Sequence, residues 1–377
     1  MRKLTFSNSR LPLTRISLLG VLLISFSLLA TAAVAPPAKG VPKAPKGMIG
    51  LVPQKAVTRL DTRRIKRGNV EAIRTPVAWN NIQSVNAKSF NWAPLDQTVK
   101  IAAREGVRVM PFLYGTPSWV DNRPTDMPVE QKKDLDNWRK FIKAAVVRYG
   151  SQGEFWDEQP GLPKKSILEW QVWNEANFYY FTTPVSPAKY GRLLDASARV
   201  IHNTDKKAEV IASGLFAKPK GPPHKGMDAD RYIKRLTKYS MNRSIDSIAI
   251  HPYSSDTADL KRTMKEFRRA AIKAGLRKKS IQITEIGWGS GPATNSYLKG
   301  SKAAQARQLR SAFNYLVGER KSLRLKNIYW FSWRDTNPNG ENCSFCDTIG
   351  LFAYRKSGKL VPKPAWNQFV RFTRGKL

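Results

Sequence analysis

The sequence contains few of the residues that hold metals or cross-link small proteins. It has two cysteines, Cys343 and Cys346, and three histidines, His202, His224 and His251, in 377 residues. One C-x-x-C pair cannot supply the four ligands of a structural zinc site, and the histidines are scattered along the chain. We therefore predict no metal site and no cofactor. The cysteine pair has two interpretations: a short-loop disulfide, which an exported protein favours, or two free thiols.

Acidic residues are also scarce. The chain carries 28 Asp and Glu against 65 Lys and Arg, a formal net charge of +37. Such a field attracts polyanions, but the cations are spread along the whole chain, with no helix-turn-helix, zinc-finger or RNP motif. We predict no specific binding of nucleic acid. Adaptation to an acidic medium or an anionic cell envelope explains the charge better, and the basic surface would favour an anionic polysaccharide or the envelope as a partner.

Long apolar runs are absent except near the N-terminus. The first 15 residues carry four cations and no acidic residue, and the apolar run Ile16–Ala30 and a small-residue stretch follow. This pattern predicts a signal peptide over residues 1–32, cleaved after Ala32, and a secreted, extracellular protein. The alternatives are cleavage after Ala35 or an uncleaved anchor, but the run is shorter than the roughly 20 residues that span a bilayer. No later run is long enough, so we predict no membrane span after cleavage.

The remaining chain divides into a short linker and one domain. Residues 33–46 are rich in Pro and Lys and predict an extended linker. Residues 47–377 form the predicted domain, about 330 residues long. That length exceeds most single domains but is ordinary for an α/β barrel.

Short β-rich runs alternate with stretches of helical length in this domain. The eight predicted strands are Gly47–Val52, Val70–Arg74, Val107–Tyr114, Leu168–Trp173, Glu209–Ser213, Ile245–His251, Ile281–Glu285 and Ile328–Trp333. The predicted helices include Leu95–Glu105, Lys133–Tyr149, Pro187–Asn203, Ser301–Lys321 and Ala365–Phe372. Eight such units favour a (β/α)8 TIM barrel of the α/β class. A doubly wound sheet is the alternative, but the residues after the first strand, PQKAV, contain no Gly-rich phosphate loop.

Two glutamates lie where a barrel would place its reactive groups. The fourth strand runs into WQVWNEAN, with Glu175, and the seventh ends in IQITEIGW, with Glu285. A carboxylate directly after a buried run is costly unless it is partnered or functional. Because barrel enzymes act at the carboxyl ends of their strands, we expect the two side chains to face each other across the mouth. Glycoside hydrolysis needs such a pair, one carboxyl protonated and one ionised.

The two motifs carry a family resemblance. WNE on the fourth strand and TEIGW on the seventh resemble the paired signatures of glycoside hydrolase clan A, the 4/7 superfamily, and WQVWNEANFYYF is most similar to families 39 and 5. The resemblance covers nearly all of residues 47–377 and supports their assignment as a glycoside hydrolase catalytic domain. It implies that Glu175 is the general acid/base and Glu285 the nucleophile of a retaining glycosidase.

The resemblance also implies substrate-binding residues around this pair. Asn174 would bind the sugar 2-hydroxyl, and Arg74, which we place at the end of the second strand, would hold the nucleophile ionised. His251 and Tyr253 match a His-x-Tyr of the clan, and one of them, Tyr253 by preference, would donate to the nucleophile or orient the acid. The alternatives are a surface arginine and a hydrogen-bonded core histidine. The eighth strand ends in YWFSWRD, where Trp333, preferred over Trp330, resembles the tryptophan that forms a floor for the sugar.

Aromatic residues in the predicted loops and strand ends suggest a carbohydrate cleft, because aromatic rings stack on sugar faces. Each of them could instead be a core residue; they are Trp79, Tyr114, Trp119, Phe178, Tyr179 and Trp288. Tyr114 stands where several families of the clan have a histidine, so the exact family and the sugar stay open.

The sequence therefore predicts a retaining glycoside hydrolase that cleaves O-glycosidic bonds, β-bonds by preference, of an oligo- or polysaccharide. Two alternatives stay open: a non-catalytic carbohydrate- or envelope-binding barrel, because barrels keep their shape after losing a catalytic group, and a transglycosylase that uses the same residues.

Overall fold

The computed structural model describes residues 41–219, 225–239, 241–291, 298–336 and 346–377. The predicted signal peptide, the first part of the linker and Cys343 lie outside these residues, so the signal and the pairing of Cys343 with Cys346 stay predictions. No helix in the described ranges combines the length and apolar character needed to cross a membrane.

Eight parallel strands close into a barrel in which each strand pairs with the next and the first pairs with the eighth. The strands are β1 (Ile49–Val52), β2 (Ala72–Ala78), β3 (Arg108–Tyr114), β4 (Glu169–Val172), β5 (Glu209–Phe216), β6 (Ser247–His251), β7 (Ser280–Ile286) and β8 (Leu325–Phe331). This confirms the predicted (β/α)8 TIM barrel.

Helices surround the barrel between successive strands. They are α1 (Arg59–Arg67), α2 (Trp79–Ile82), α3 (Ala93–Arg104), α4 (Lys132–Tyr149), α5 (Glu154–Asp157), α6 (Pro187–Thr204), α7 (Ala229–Leu236), α8 (Met241–Ser244), α9 (Thr257–Lys273), α10 (Lys302–Gly318) and α11 (Pro364–Thr373). The five helices named in the sequence analysis are confirmed, with bounds that differ by up to three residues.

Side-chain caps explain where several helices begin. Asp256 precedes α9 and accepts the backbone N–H of Asp259 at 2.8 Å. Ser301 precedes α10 and accepts the N–H of Ala304 at 3.1 Å. Such caps satisfy N–H groups that have no partner within the helix, and each contributes about 1 kcal/mol.

Two strand ends differ from the prediction in ways that affect the site. Strand β2 continues past Arg74 to Ala78, with Pro76 paired opposite Phe112 of β3. Arg74 therefore lies in the middle of β2 rather than at its end. Strand β8 ends at Phe331, so Trp333 lies in the loop beyond it.

A small antiparallel hairpin, not expected from the sequence, follows the barrel. Strands β9 (Phe352–Tyr354) and β10 (Leu360–Pro362) pair with each other. An isolated parallel bridge joins Arg334 to Phe352, so the hairpin lies beside the loop that follows β8.

The apolar core has two parts. A large cluster includes the residues through which strands and helices pack, such as Trp138 of α4 and Phe313 of α10. A smaller cluster has members from six strands of the barrel: Val52, Ala72, Met110, Ile211, Ala249 and Tyr329, with Phe331 packed against it. Because these strands lie around one closed barrel, the smaller cluster forms a layer inside it, below the strand ends.

Candidate active site

The loop after β4 has an unusual backbone that presents Glu175. Trp173 and Glu175 both have positive φ, 66° and 41°, a conformation that costs non-glycine residues about 1–3 kcal/mol and concentrates at functional sites. Hydrogen bonds hold it: Trp173 N–H donates to Leu113 O at 2.7 Å, and Glu175 N–H donates to Gly214 O at 3.2 Å. The neighbouring strands thus fix Glu175 at the barrel mouth.

The Glu175 side chain is bound to a buried histidine from β6. His251 Nδ1 lies 2.7 Å from Glu175 Oε1, and its Nε2 lies 3.0 Å from Thr284 Oγ1. Gly214 of β5 makes room for this ring, since a Cβ there would overlap His251 Nε2 and Thr284 Oγ1. The position of the His251 ring is therefore set by neighbours on two strands.

Arg74 is completely buried inside the barrel and bonds to three side chains. Its Nη1 donates to Glu285 Oε1 at 2.7 Å, its Nη2 to Asn174 Oδ1 at 2.6 Å, and its Nε to Gln171 Oε1 at 3.0 Å. The guanidinium also lies over the Phe112 ring, 4.0 Å from its centroid. Arg74 is therefore not a surface arginine, and its planar fork fixes the nucleophile candidate and Asn174 relative to each other.

Glu285 lies on β7, where pairing with β8 is irregular between Ile283 and Ile286. Its Oε1 bonds to Arg74, and its Oε2 accepts the Tyr253 hydroxyl at 2.9 Å. Both oxygens of this nearly buried carboxylate therefore have a donor, and its charge is balanced by a guanidinium.

The two glutamates lie close together. One oxygen of Glu175, one of Glu285 and one ring nitrogen of His251 all lie within 4.8 Å of one another. Three such atoms could also bind a cation, but Arg74 already places a positive charge 2.7 Å from Glu285. A divalent ion would face that buried guanidinium, so the donor set suits a paired-carboxylate site better than a metal centre.

Burial and charge give the two sides of the site different protonation behaviour. Burial, and then the nearby charge of Glu285, raise the pKa of Glu175 well above its ordinary value. Burial, and then the charge of Arg74, lower the pKa of His251 well below its ordinary value. Burial and the charge of Glu285 raise the pKa of Tyr253 well above its ordinary value, so it remains a hydroxyl donor. At neutral pH the arrangement favours a protonated Glu175 beside a neutral imidazole.

The structure does not place Trp333 where a sugar could stack. The ring is 1% exposed, packs against Phe352 and Trp366, and donates its N–H to Asp61 Oδ1 at 2.9 Å. The expectation of a sugar floor at Trp333 is wrong because β8 ends two residues earlier and the chain then turns outward toward α1 and α11.

Phe331, the last residue of β8, is the aromatic residue that faces the site. It is partly buried, and its ring centroid lies 6.4 Å from that of Tyr253, at 87°. The peptide bond from Phe331 to Ser332 is cis. Phe331 therefore occupies the position at the end of β8 where the sequence analysis expected a tryptophan.

Three other aromatic candidates differ in their surroundings. Trp79 is fully buried among Trp119, Trp138 and Phe141 and is a core residue. Trp288 is 3% exposed, with its N–H bonded to Ser254 O and its ring against Trp330, so neither ring offers a face to a ligand. Tyr114, at the end of β3, is partly exposed, and burial raises its pKa.

Four residues of the site were not found from the sequence: Gln171, Gly214, Thr284 and Phe331. Gln171 and Thr284 sit within strands and carry no local motif, and Gly214 matters only because His251 packs against it. The alternation of inward residues along β8, from Asn327 through Tyr329, points to Phe331 but equally to Trp333.

Solved structures show which proteins share this fold. A family 39 glycoside hydrolase of Bacteroides cellulosilyticus matches with a TM-score of 0.63 and 19% identity, over 88% of this chain and 64% of the other. The chain shares the barrel fold of glycoside hydrolases. A GH5 structure from Bifidobacterium longum, in complex with Manβ1-4GlcNAc, matches with a TM-score of 0.63 and 13% identity, over 87% of this chain and 78% of the other. GH10 from Paenibacillus barcinonensis matches with a TM-score of 0.60 and 16% identity, over 90% of this chain and 99% of the other.

These structures are TIM-barrel enzymes of glycoside hydrolase families 39, 5 and 10, the group that the resemblance named. No protein-family model and no curated protein sequence matches the chain.

Proposed function

We propose that the protein is a retaining glycoside hydrolase that cleaves β-linked sugars by double displacement, with Glu285 as nucleophile and Glu175 as general acid/base. The observation that carries this proposal is the pair of carboxylates with oxygens within 4.8 Å of each other. Retaining enzymes hold their carboxyl groups about 5–5.5 Å apart, whereas inverting enzymes need about 6.5–9.5 Å to admit a water. The spacing supports retention.

The partners of the two carboxylates support their separate roles. Glu285 bonds to the Arg74 guanidinium and the Tyr253 hydroxyl, so a positive charge and a hydroxyl donor both face the carboxylate that we propose as nucleophile. Glu175 has a raised pKa and faces a neutral histidine, so it can hold a proton at neutral pH. An acid and a base held apart by their surroundings are what this reaction needs.

In the first step an oxygen of Glu285 attacks the anomeric carbon, and the bond to the leaving oxygen breaks. The leaving oxygen takes the proton of Glu175, and a covalent glycosyl-enzyme forms. Once Glu285 is esterified it carries no charge, so the second cause of the raised pKa of Glu175 disappears. Glu175 can then accept a proton from the water that hydrolyses the ester.

Asn174 is placed to hold the sugar. Its Oδ1 accepts from Arg74 Nη2, and among the described residues no acceptor takes its amide N–H groups, which can therefore bind a ligand. The β-linkage is supported by the family 5 structure, whose ligand is Manβ1-4GlcNAc.

The test compares wild type with Glu285→Gln on aryl β-glycosides and on β-glucan, xylan and mannan. We expect turnover by wild type, none by the variant, and a 2-fluoroglycosyl adduct on Glu285 seen by mass spectrometry. The matched control is Glu154→Gln, an exposed glutamate at the start of α5, which should leave activity unchanged.

Three results would contradict the proposal. Folded wild-type protein that binds these glycans but cleaves none would indicate the carbohydrate-binding barrel instead. Cleavage with inversion of the anomeric centre, followed by NMR of the released sugar, would exclude the covalent intermediate. Release of longer oligosaccharides in place of hydrolysis products would indicate a transglycosylase, which transfers the glycosyl group to a sugar acceptor.

We further propose that the enzyme acts outside the cell after removal of residues 1–32. The basic, apolar and small-residue segments of that stretch support this. N-terminal sequencing of the protein recovered from culture medium should begin at residue 33. Recovery of the intact chain from the cytoplasm would contradict it.

A further inference from the structure

A second concave site lies on the same face of the barrel as the carboxylates. An open cavity of about 590 Å³ is lined by residues 53–55 after β1, by residues 333–336 and 347 after β8, and by the β9–β10 hairpin. None of the active-site residues described above lines it. Its walls include Gln54, Lys55, Arg334, Tyr354 and Arg355.

The cavity adjoins the reacting centre. Its wall residues Pro53 and Trp333 follow Val52 and Phe331, which are partners at the upper ends of β1 and β8. The Phe331 ring faces Tyr253, whose hydroxyl is 2.9 Å from Glu285. The cavity therefore lies beside the strand end that carries Phe331, on the side of the barrel where β8 pairs with β1.

The described part of the cavity wall carries four cations and two acids. Lys55, Arg355 and Lys356 are exposed there, and none has a carboxylate within ion-pair distance in the ranges that the structure describes. By contrast, the carboxylate of Asp335 on the same wall is bonded to Lys363 at 2.6 Å. Of the wall acids, Asp347 alone has no cationic partner among the described residues, and it accepts a hydroxyl at 2.8 Å.

Two further groups suit a sugar rather than a simple anion. The Tyr354 side chain is 49% exposed, and it lines the cavity, so it can offer its ring as a stacking surface. Gln54 Oε1 is buried with no hydrogen-bond partner among the described residues. An unpaired buried acceptor is costly unless a ligand donor reaches it, and a sugar hydroxyl is such a donor.

Arg334 fixes the lower wall. Its Nη1 donates to Asp61 Oδ2 at 2.9 Å and its Nη2 to Ala56 O at 3.1 Å. The loops after β1 and β8 are thus joined, so the cavity is formed before a ligand arrives.

From these observations we infer that the cavity is an accessory subsite for a sugar residue that carries a carboxylate or sulfate group. Lys55, Arg355 and Lys356 bind the anionic group, Tyr354 stacks on the ring, and Gln54 accepts a hydroxyl. This inference rests on the proposed function and makes its substrate more specific. The substrate is an acidic glycan, and its charged sugar lies away from the glycosidic bond that is cleaved.

The test measures binding in the Glu285→Gln background by calorimetry at physiological ionic strength. The probes are xylo-oligosaccharides bearing glucuronic acid and sulfated galactan oligosaccharides, each beside its carboxyl-reduced or desulfated form. We expect at least one acidic probe to bind about tenfold more tightly than its neutral form. This ratio of Kd values corresponds to a difference of about 1.4 kcal/mol in binding free energy. The preferred probe distinguishes a carboxylate from a sulfate.

The variant that decides the matter replaces Lys55, Arg355 and Lys356 with Gln. Its control removes the same charge from Arg104, Lys133 and Lys273, which are exposed, lie on helices and do not line the cavity. The first variant should lose the tenfold preference and the control should keep it. Equal losses in both would show a general charge effect and overturn the inference, as would equal binding of every acidic and neutral pair.

The outcomes separate this inference from the proposed function. Wild type that cleaves neutral β-glycans with no preference for acidic ones would leave the hydrolase standing and refute the subsite. An acidic preference that depends on the three cations, in a wild type that cleaves nothing, would support the subsite and refute the hydrolase.

Discussion

Two aromatic residues near the end of β8 have different environments, and substitutions can separate their roles. Trp333 is 1% exposed and donates to Asp61, whereas Phe331 is partly exposed and faces Tyr253. We expect Trp333→Phe to lower the free energy of unfolding and to leave kcat/KM unchanged. Phe331→Ala should lower kcat/KM and should reduce the free energy of unfolding only modestly.

The loss of stability in Trp333→Phe follows from two contacts. The substitution removes the N–H that donates to Asp61 Oδ1 at 2.9 Å, while Oδ2 keeps its donors Arg334 and Thr58. A hydrogen bond to a charged group contributes about 1.5–3 kcal/mol. The phenyl ring leaves part of the indole volume empty, which costs on the order of 1 kcal/mol more. We expect the free energy of unfolding to fall by about 2–4 kcal/mol.

The effect of Phe331→Ala should appear in catalysis. If the ring stacks on the sugar with the strength of an aromatic pair, its removal costs about 0.5–1.5 kcal/mol in the transition state. That corresponds to a decrease in kcat/KM of about twofold to tenfold. Because Phe331 is only partly buried, its truncation should cost less stability than the roughly 3–5 kcal/mol typical of a fully buried Phe.

Urea unfolding and kcat/KM on the aryl glycoside that wild type cleaves would measure both effects. The kinetics must be run at a temperature where circular dichroism shows each variant folded. The reasoning is refuted if folded Trp333→Phe loses tenfold in kcat/KM while Phe331→Ala keeps the wild-type value. That result would place the sugar on Trp333 after all.

Three further predictions concern protons and packing. The pKa of Glu175 is raised by burial and by a neighbouring charge, so kcat/KM should fall with rising pH only well above 4.5; a fall centred near 4.5 would contradict this. A Cβ at Gly214 would overlap His251, so Gly214→Ala should cost about 1–3 kcal/mol of stability and lower kcat/KM; wild-type values for both would refute the close packing. Burial lowers the pKa of Lys363 to about 8, although the nearby Asp335 acts to raise it. In the unfolded chain the pKa of this lysine is about 10.5. Since the unfolded state binds more protons in that interval, stability in urea should rise with pH by up to about 1.4 kcal/mol per unit, and Lys363→Met should remove the rise.

The sequence was sufficient for the barrel and for both glutamates because each depends on local signals. Glu175 follows the apolar pair Val172–Trp173 after one residue, and Glu285 ends a β-rich run that contains Ile281 and Ile283. Parallel strands in a closed barrel bring their carboxyl ends to one face, so the fold alone places the two residues together.

The remaining features depend on register and on contacts between distant strands. The proline at position 76 argues against a central strand, because it has no N–H for the ladder, yet β2 continues through it to Ala78. The end of β8 could not be fixed from YWFSWRD, since inward alternation would select Phe331 and Trp333 equally until the strand ends. The β9–β10 hairpin is made of three-residue strands, too short for a periodic signal.

The partners of the two carboxylates, rather than their spacing, distinguish their roles. One buried guanidinium, Arg74, serves a site that contains two glutamates, and it bonds to Glu285 and not to Glu175. The other partner available to Glu175 is His251, whose charged form is opposed by burial and by the same guanidinium. Arg74 bonds to Glu285 alone of the two, while burial and the charge of Glu285 raise the pKa of Glu175. The contact between Arg74 of β2 and Glu285 of β7 therefore supports the proposed assignment of Glu175 as the acid.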